Sequence, residues 1–147
     1  MHSLLPSYTG NPAMDAFLLS AFLLTSGAIM PLLLHRLKGL SHTTGMLLSS
    51  AGSLLGLLAA ILALTAKAPF LFSIPWATAG IHLSFKLDSL SAFFLLPIFI
   101  LGLTSALYGY SYLQHDTKKS GKIALHWFFF NVLMLSMAAV VTAGNAL

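Results

Sequence analysis

A proton or ion can pause inside hydrocarbon only where a side chain holds its charge, and few residues of this chain qualify. Glutamate is absent, and the aspartates are Asp15, Asp88 and Asp116. Each lies at the edge of an uncharged stretch or between two such stretches, at a depth water reaches, so interfacial anchoring is the ordinary role. Asp88, which opens the third stretch, and His126, near the start of the fourth, are the two candidates for a proton relay. A histidine titrates near neutral pH and can pass a proton on, whereas one beside an aromatic belt usually satisfies itself with water or headgroups. No residue is assigned a catalytic role.

Other chemistries find less support. Cysteine is absent, which removes disulfides, thiolate metal sites and thiol nucleophiles. His35 and His42 lie across a loop with no carboxylate or thiolate beside them, so no metal site is expected. Two histidines on different helices are what a b-type haem takes as axial ligands. Here His35, His42 and His115 are expected at helix ends or in loops, leaving only His126 pointing inward, and no cofactor is assigned. Asn131, a turn or so into the fourth stretch, is a buried polar group that needs a partner on another helix, and helix adhesion is its expected role.

The elements that must position these residues are apolar. The sequence has 147 residues, of which 58% are hydrophobic and 7% charged, far below the quarter or so of charged residues in a soluble domain. Ala16 to His35, Gly39 to Ala66, Ser89 to His115 and Ile123 to Leu147 contain no Asp, Glu, Lys or Arg. A helix of roughly 20 residues crosses the ~30 Å hydrocarbon core, and each stretch is long enough. An all-α membrane protein of four transmembrane helices is expected, at about residues 14–35, 45–66, 89–113 and 123–143. In the second, Gly52, Gly56 and Ala60 recur every four residues beside a row of Gly45, Ser49 and Ser53, a pattern that lets backbones approach closely. Gly27 with Pro31, and Pro97 with Gly102, are expected to bend the first and third helices.

Arg36, Lys38, Lys118, Lys119 and Lys122 fall in the first and third loops, while Lys67 and Lys86 fall in the second. The positive-inside rule then puts the first and third loops in the cytoplasm and both termini outside. The net charge of +4 thus reports topology and gives no reason to invoke nucleic acid. Between Lys67 and Asp88, Pro69, Pro75 and Gly80 interrupt an uncharged run whose later part alternates polar with apolar residues. A short extended or hairpin segment is expected there, since a fifth span would also carry the Lys118 to Lys122 cluster outside. Tyr108, Tyr110, Tyr112 and Trp127 to Phe130 are expected to form an aromatic belt at the membrane surface.

A family resemblance rests on the second half of the chain. Its marks are Leu87, Asp88, Leu90, Ser91, Ala92, Phe93 and Phe94 opening the third helix, Tyr108 to Leu113 closing it, and Trp127 to Asn131 followed by Ala143 to Ala146. These residues resemble the early part of the antiporter-like subunits of group 4 hydrogenases, respiratory complex I and multisubunit cation/proton antiporters, nearest the hydrogenase-4 component B and formate hydrogenlyase subunit 3 branch. The resemblance implies a long polytopic subunit whose inverted repeats carry a glutamate on the fifth helix and lysines on later ones. This sequence ends at Leu147, where that fifth helix would begin, so no conducting residue carries over.

The chain is therefore expected to be an amino-terminal piece of a proton-translocating subunit in a redox-driven oxidoreductase complex, acting as scaffold and contact surface. Its expected partners are the lipid bilayer and the other membrane subunits of a hydrogenase or complex I-like assembly in a prokaryotic inner membrane. The competing class is a self-contained four-helix membrane protein, such as a small structural subunit or a b-type cytochrome.

Overall fold

A computed structural model describes residues 12–65, 70–75, 82–113 and 120–143. In chain order the elements are α1 (Pro12–Leu33), α2 (Lys38–Thr65), β1 (Phe70–Pro75), β2 (His82–Leu87), α3 (Ser89–Leu113) and α4 (Ser120–Thr142). All four helices are long and apolar enough to cross a membrane. Their lengths of 22, 28, 25 and 23 residues exceed the roughly 20 that a ~30 Å hydrocarbon core requires.

The distribution of side chains identifies the surrounding solvent. Outward positions carry Phe22, Leu33, Phe93, Leu101, Phe129 and Val140, each more than half exposed, while Ser20, Ser41, His42, Ser49, Ser53 and Asn131 are buried. Water would select the opposite arrangement, because large apolar groups are what it expels. In lipid the outer surface gains nothing by being polar, and helices associate through close packing and hydrogen bonds between them.

Packing is closest between α1 and α2, with α3 on the other side of α2 and α4 closing against α1; α3 and α4 meet more sparsely. Small residues set these distances. A side chain at Gly52 would run into Leu24 of α1, one at Gly56 into the ring of Phe99 of α3, and one at Gly45 into the indole of Trp127 of α4. The small-residue rows of α2 thus face three different helices within this chain. A larger apolar cluster joins Leu24, Ala60, Leu87, Leu95, Phe99 and Met134, and a smaller one joins Ala106, Ile123 and Trp127. Ser49, Ser53 and Asn131 lie between the two clusters along the helices, which divides the core into apolar, polar and apolar layers.

The turn from α1 to α2 is tight. Leu37 N–H donates to the Leu34 carbonyl at 2.8 Å, and the Ser41 hydroxyl donates to the carbonyl of Pro31 at 2.9 Å, tying the start of α2 to the end of α1. Helix α2 therefore begins at Lys38, earlier than the charges at Arg36 and Lys38 suggested, and His42 belongs to the helix. Between α2 and α3, β1 and β2 pair antiparallel with Phe70 opposite Leu87 and Pro75 opposite His82. Pro75 ends its strand, where the missing N–H costs least.

Replacing Gly56 with leucine should cost about 1–3 kcal/mol, the usual penalty for overpacking a filled core, because the Phe99 ring already occupies that space. Thermal unfolding in detergent measures this, and an unchanged midpoint would show that α2 and α3 do not meet there.

Candidate functional site

The most polar part of the interior is built by α2, α3 and α4. His42 stacks on the Tyr110 ring with centroids 4.5 Å apart and planes 18° from parallel. The indole N–H of Trp127 donates to His42 Nδ1 at 3.1 Å, and His42 Nε2 lies 3.0 Å from the Tyr110 carbonyl oxygen. These contacts fix the tautomer. Nδ1 accepts from the indole, so Nε2 carries the hydrogen and donates it to the carbonyl. Both ring nitrogens are thereby used within the protein, which leaves neither for a haem iron. Gly45 makes the arrangement possible by letting the Trp127 ring lie flat on α2.

One turn further along α4 is Asn131, fully buried and near the middle of its helix. Its amide donates to Ser49 Oγ and to the Trp127 carbonyl, both at 2.8 Å. Ser49 has a single hydroxyl hydrogen but two acceptors in reach, the Gly45 carbonyl at 2.7 Å and Asn131 Oδ1 at 3.0 Å. The backbone of Gly27 on α1 completes the enclosure, since a side chain there would come within 3.2 Å of the Asn131 amide. Ser20 joins α1 to α2 by donating to the Gly52 carbonyl at 2.6 Å. Among the described residues Ser50 Oγ and Ser53 Oγ are buried without a hydrogen-bond partner.

The two relay candidates are placed apart. Asp88 caps α3: its Oδ1 accepts the Ser91 N–H at 2.8 Å, and its carbonyl accepts the Ala92 N–H at 2.9 Å. Its other carboxylate oxygen is 3.2 Å from Lys86 Nζ in a partly exposed ion pair. The Ser91 backbone N–H above all holds the Asp88 carboxyl below the usual carboxylate range; partial burial opposes this and Lys86 assists it. His126 faces outward on α4, stacked over Phe130 with centroids 6.4 Å apart and edge-on to Trp127. The α3 position beside it is Gly109, so roughly 30 Å of helix separates the two candidates. No direct relay joins them. Of the packing candidates, Gly52, Gly56 and Asn131 all contact neighbouring helices of this chain.

His42 and the burial of Trp127 escaped the sequence reading. The signal available was the seven-residue repeat of His42, Ser49 and Gly56, which places all three on one face of α2. The bridge ties α2 to α3 and α4, and among the described residues His42 is the one buried titratable side chain.

Two measurements test this geometry. Asp88 has a lowered folded-state value, so its cap stabilises above the ordinary carboxylate range and that contribution disappears as pH falls through the lowered value. Asp88→Ala should cost about 1 kcal/mol at neutral pH, and Asp88→Asn, which keeps a capping oxygen, should flatten the acid side of the stability profile in detergent melts. A double-mutant cycle of Trp127→Phe with His42→Leu should return a coupling of about 1 kcal/mol. Additive effects would mean that the indole and the imidazole do not interact.

Two comparisons with known proteins find similarity over part of the chain. Residues 74–121, from the end of β1 to the start of α4, match the family model for the N-terminus of chain 5 of NADH-ubiquinone oxidoreductase, complex I. A putative antiporter subunit, mnhA2, of Staphylococcus saprophyticus is 36% identical over 75 residues, which is 50% of this chain and 9% of that relative. The match thus spans less than a tenth of the relative's length. No solved structure matches. The chain is thus similar, over part of its length, to the complex I chain 5 N-terminus and to a putative antiporter subunit.

Proposed function

We propose that this chain is the amino-terminal membrane segment of an antiporter-like subunit in a redox-driven, proton-translocating complex, and that its own part is scaffold and contact surface. The observation that carries the reading is the match of residues 74–121 to the complex I chain 5 N-terminus, the stretch in which β2 runs into the capped start of α3. The interior supports it. Among the described residues the buried polar side chains are serines, a threonine, an asparagine and a doubly bonded histidine, several of which join helices, with no carboxylate or lysine on which a proton could be carried across.

Within this reading the complex is of the hydrogenase-4 or formate hydrogenlyase type, or a NADH dehydrogenase-like one, in a prokaryotic inner membrane. The loop charges support an orientation with Arg36 and Lys118 to Lys122 in the cytoplasm and both termini outside. Oxidoreduction belongs to the partner subunits, and the proton-carrying residues belong to parts of the subunit outside these 147 residues.

Tagged at its natural level and extracted in mild detergent, the chain should copurify with hydrogenase or NADH dehydrogenase-like subunits, identified by mass spectrometry. Reconstituted alone in liposomes, it should leave an imposed pH gradient intact. Purification as a solitary four-helix protein, or collapse of the gradient by the chain alone, would overturn the assignment. Since the sequence has no cysteine, Lys119→Cys and Lys86→Cys should label from opposite sides of the membrane, which tests the orientation.

A further inference from the structure

On the outer side of the sparse seam between α3 and α4 is an open cleft of about 490 Å³, lined by Thr104, Ser105, Tyr108, Tyr112, His126 and Phe130 among others. Its walls are two aromatic pairs, each spaced one helical turn apart. Tyr108 and Tyr112 stack on α3 with centroids 6.3 Å apart and planes 16° from parallel, and His126 stacks on Phe130 of α4 within 12°. Gly109 forms the floor: a methyl group at its position would stand 3.8 Å from His126 Nε2, and nothing nearer fills the space.

The chemistry of the cleft is graded. Tyr108 and Tyr112 are 73% and 70% exposed, and hydrocarbon has no partner for a phenolic hydroxyl or an imidazole nitrogen. Thr104 meets its own need by donating to the Ile100 carbonyl, so the end nearer mid-helix is effectively apolar. Toward the α3–α4 connection, Lys122 precedes His126 by one turn on the same face of α4 and is exposed.

An apolar slot with hydroxyl and imidazole groups above it and the Lys122 ammonium one turn beyond His126 has the amphiphilic profile of a lipid with a negative headgroup. We infer that the α3–α4 cleft binds one anionic phospholipid, with its phosphate among Lys122, His126 and the two tyrosine hydroxyls and an acyl chain lying between the aromatic pairs. Charge complementarity selects an anionic lipid over a zwitterionic one, whose ammonium would face Lys122. The inference requires only that the chain resides in a bilayer and is independent of which complex it joins.

The test uses the full chain in phosphatidylcholine bilayers, with spin-labelled phosphatidylglycerol and spin-labelled phosphatidylcholine as probes. The motionally restricted fraction should favour phosphatidylglycerol several-fold. Lys122→Gln should remove most of the preference, since one basic side chain near a headgroup is worth roughly fivefold. Gly109→Leu, which keeps every charge and fills the floor, should abolish it, while Lys86→Gln beside the hairpin should leave it unchanged. Millimolar inorganic phosphate should not displace the lipid. Full preference in Gly109→Leu, with helicity by circular dichroism intact, would mean diffuse attraction to the basic loop and would overturn the site. Equal restriction of the two lipids by the wild-type chain, or displacement by inorganic phosphate, would overturn it as well.

Discussion

Hydrocarbon offers neither donor nor acceptor, so a strongly polar side chain on a membrane helix is best satisfied inside the protein, and the meeting of α2 with α4 follows from that constraint. Asn131 at mid-helix can be satisfied only if α2 brings Ser49 to it, and Trp127 only if α2 brings His42. Both bonds join the same two helices, α2 and α4, which meet directly across the bundle. They fix the rotation and register of α2 against α4 in a way that apolar contact alone, being non-directional, would leave open.

Close approach is the condition for those bonds. Gly45 admits the indole, Gly27 admits the Asn131 amide, and Gly56 admits the Phe99 ring, so the absent side chains and the hydrogen bonds depend on one another. Beyond the polar layer, the core toward the hairpin is apolar and ends at Leu87, where β2 passes directly into the Asp88 cap. The Ser91 hydroxyl donates to the Val141 carbonyl at 2.9 Å and pins the start of α3 to the end of α4, so the hairpin, the cap and the last turn of α4 form one connected end.

Much of this was legible in the residues. The four uncharged stretches marked the spans, because the length needed to cross lipid is set by the bilayer and not by tertiary context. Asn131 declared its need for a partner, since an amide in mid-helix has few alternatives. Helix ends were harder. Arg36 and Lys38 read as loop residues, but lysine is a good helix former, so α2 starts at Lys38 and draws His42 inside. Trp127 read as part of an interfacial belt; only the placement of Gly45 opposite it shows that this ring turns inward, and such pairing across helices is invisible in a single chain of letters. The separation of Asp88 from His126 likewise needed the third dimension.

The lone hydrogen of Ser49 has a consequence of its own. Two oxygens, one on the backbone of its own helix and one on the neighbouring helix, compete for it, and rotation about a single bond carries it from one to the other while no heavy atom moves. The contact is thus a rotor with two unequal wells, the shorter one at 2.7 Å toward its own backbone and the longer at 3.0 Å toward α4. Turning from one to the other would reorient a hydroxyl dipole at mid-bundle while the net charge there stays fixed.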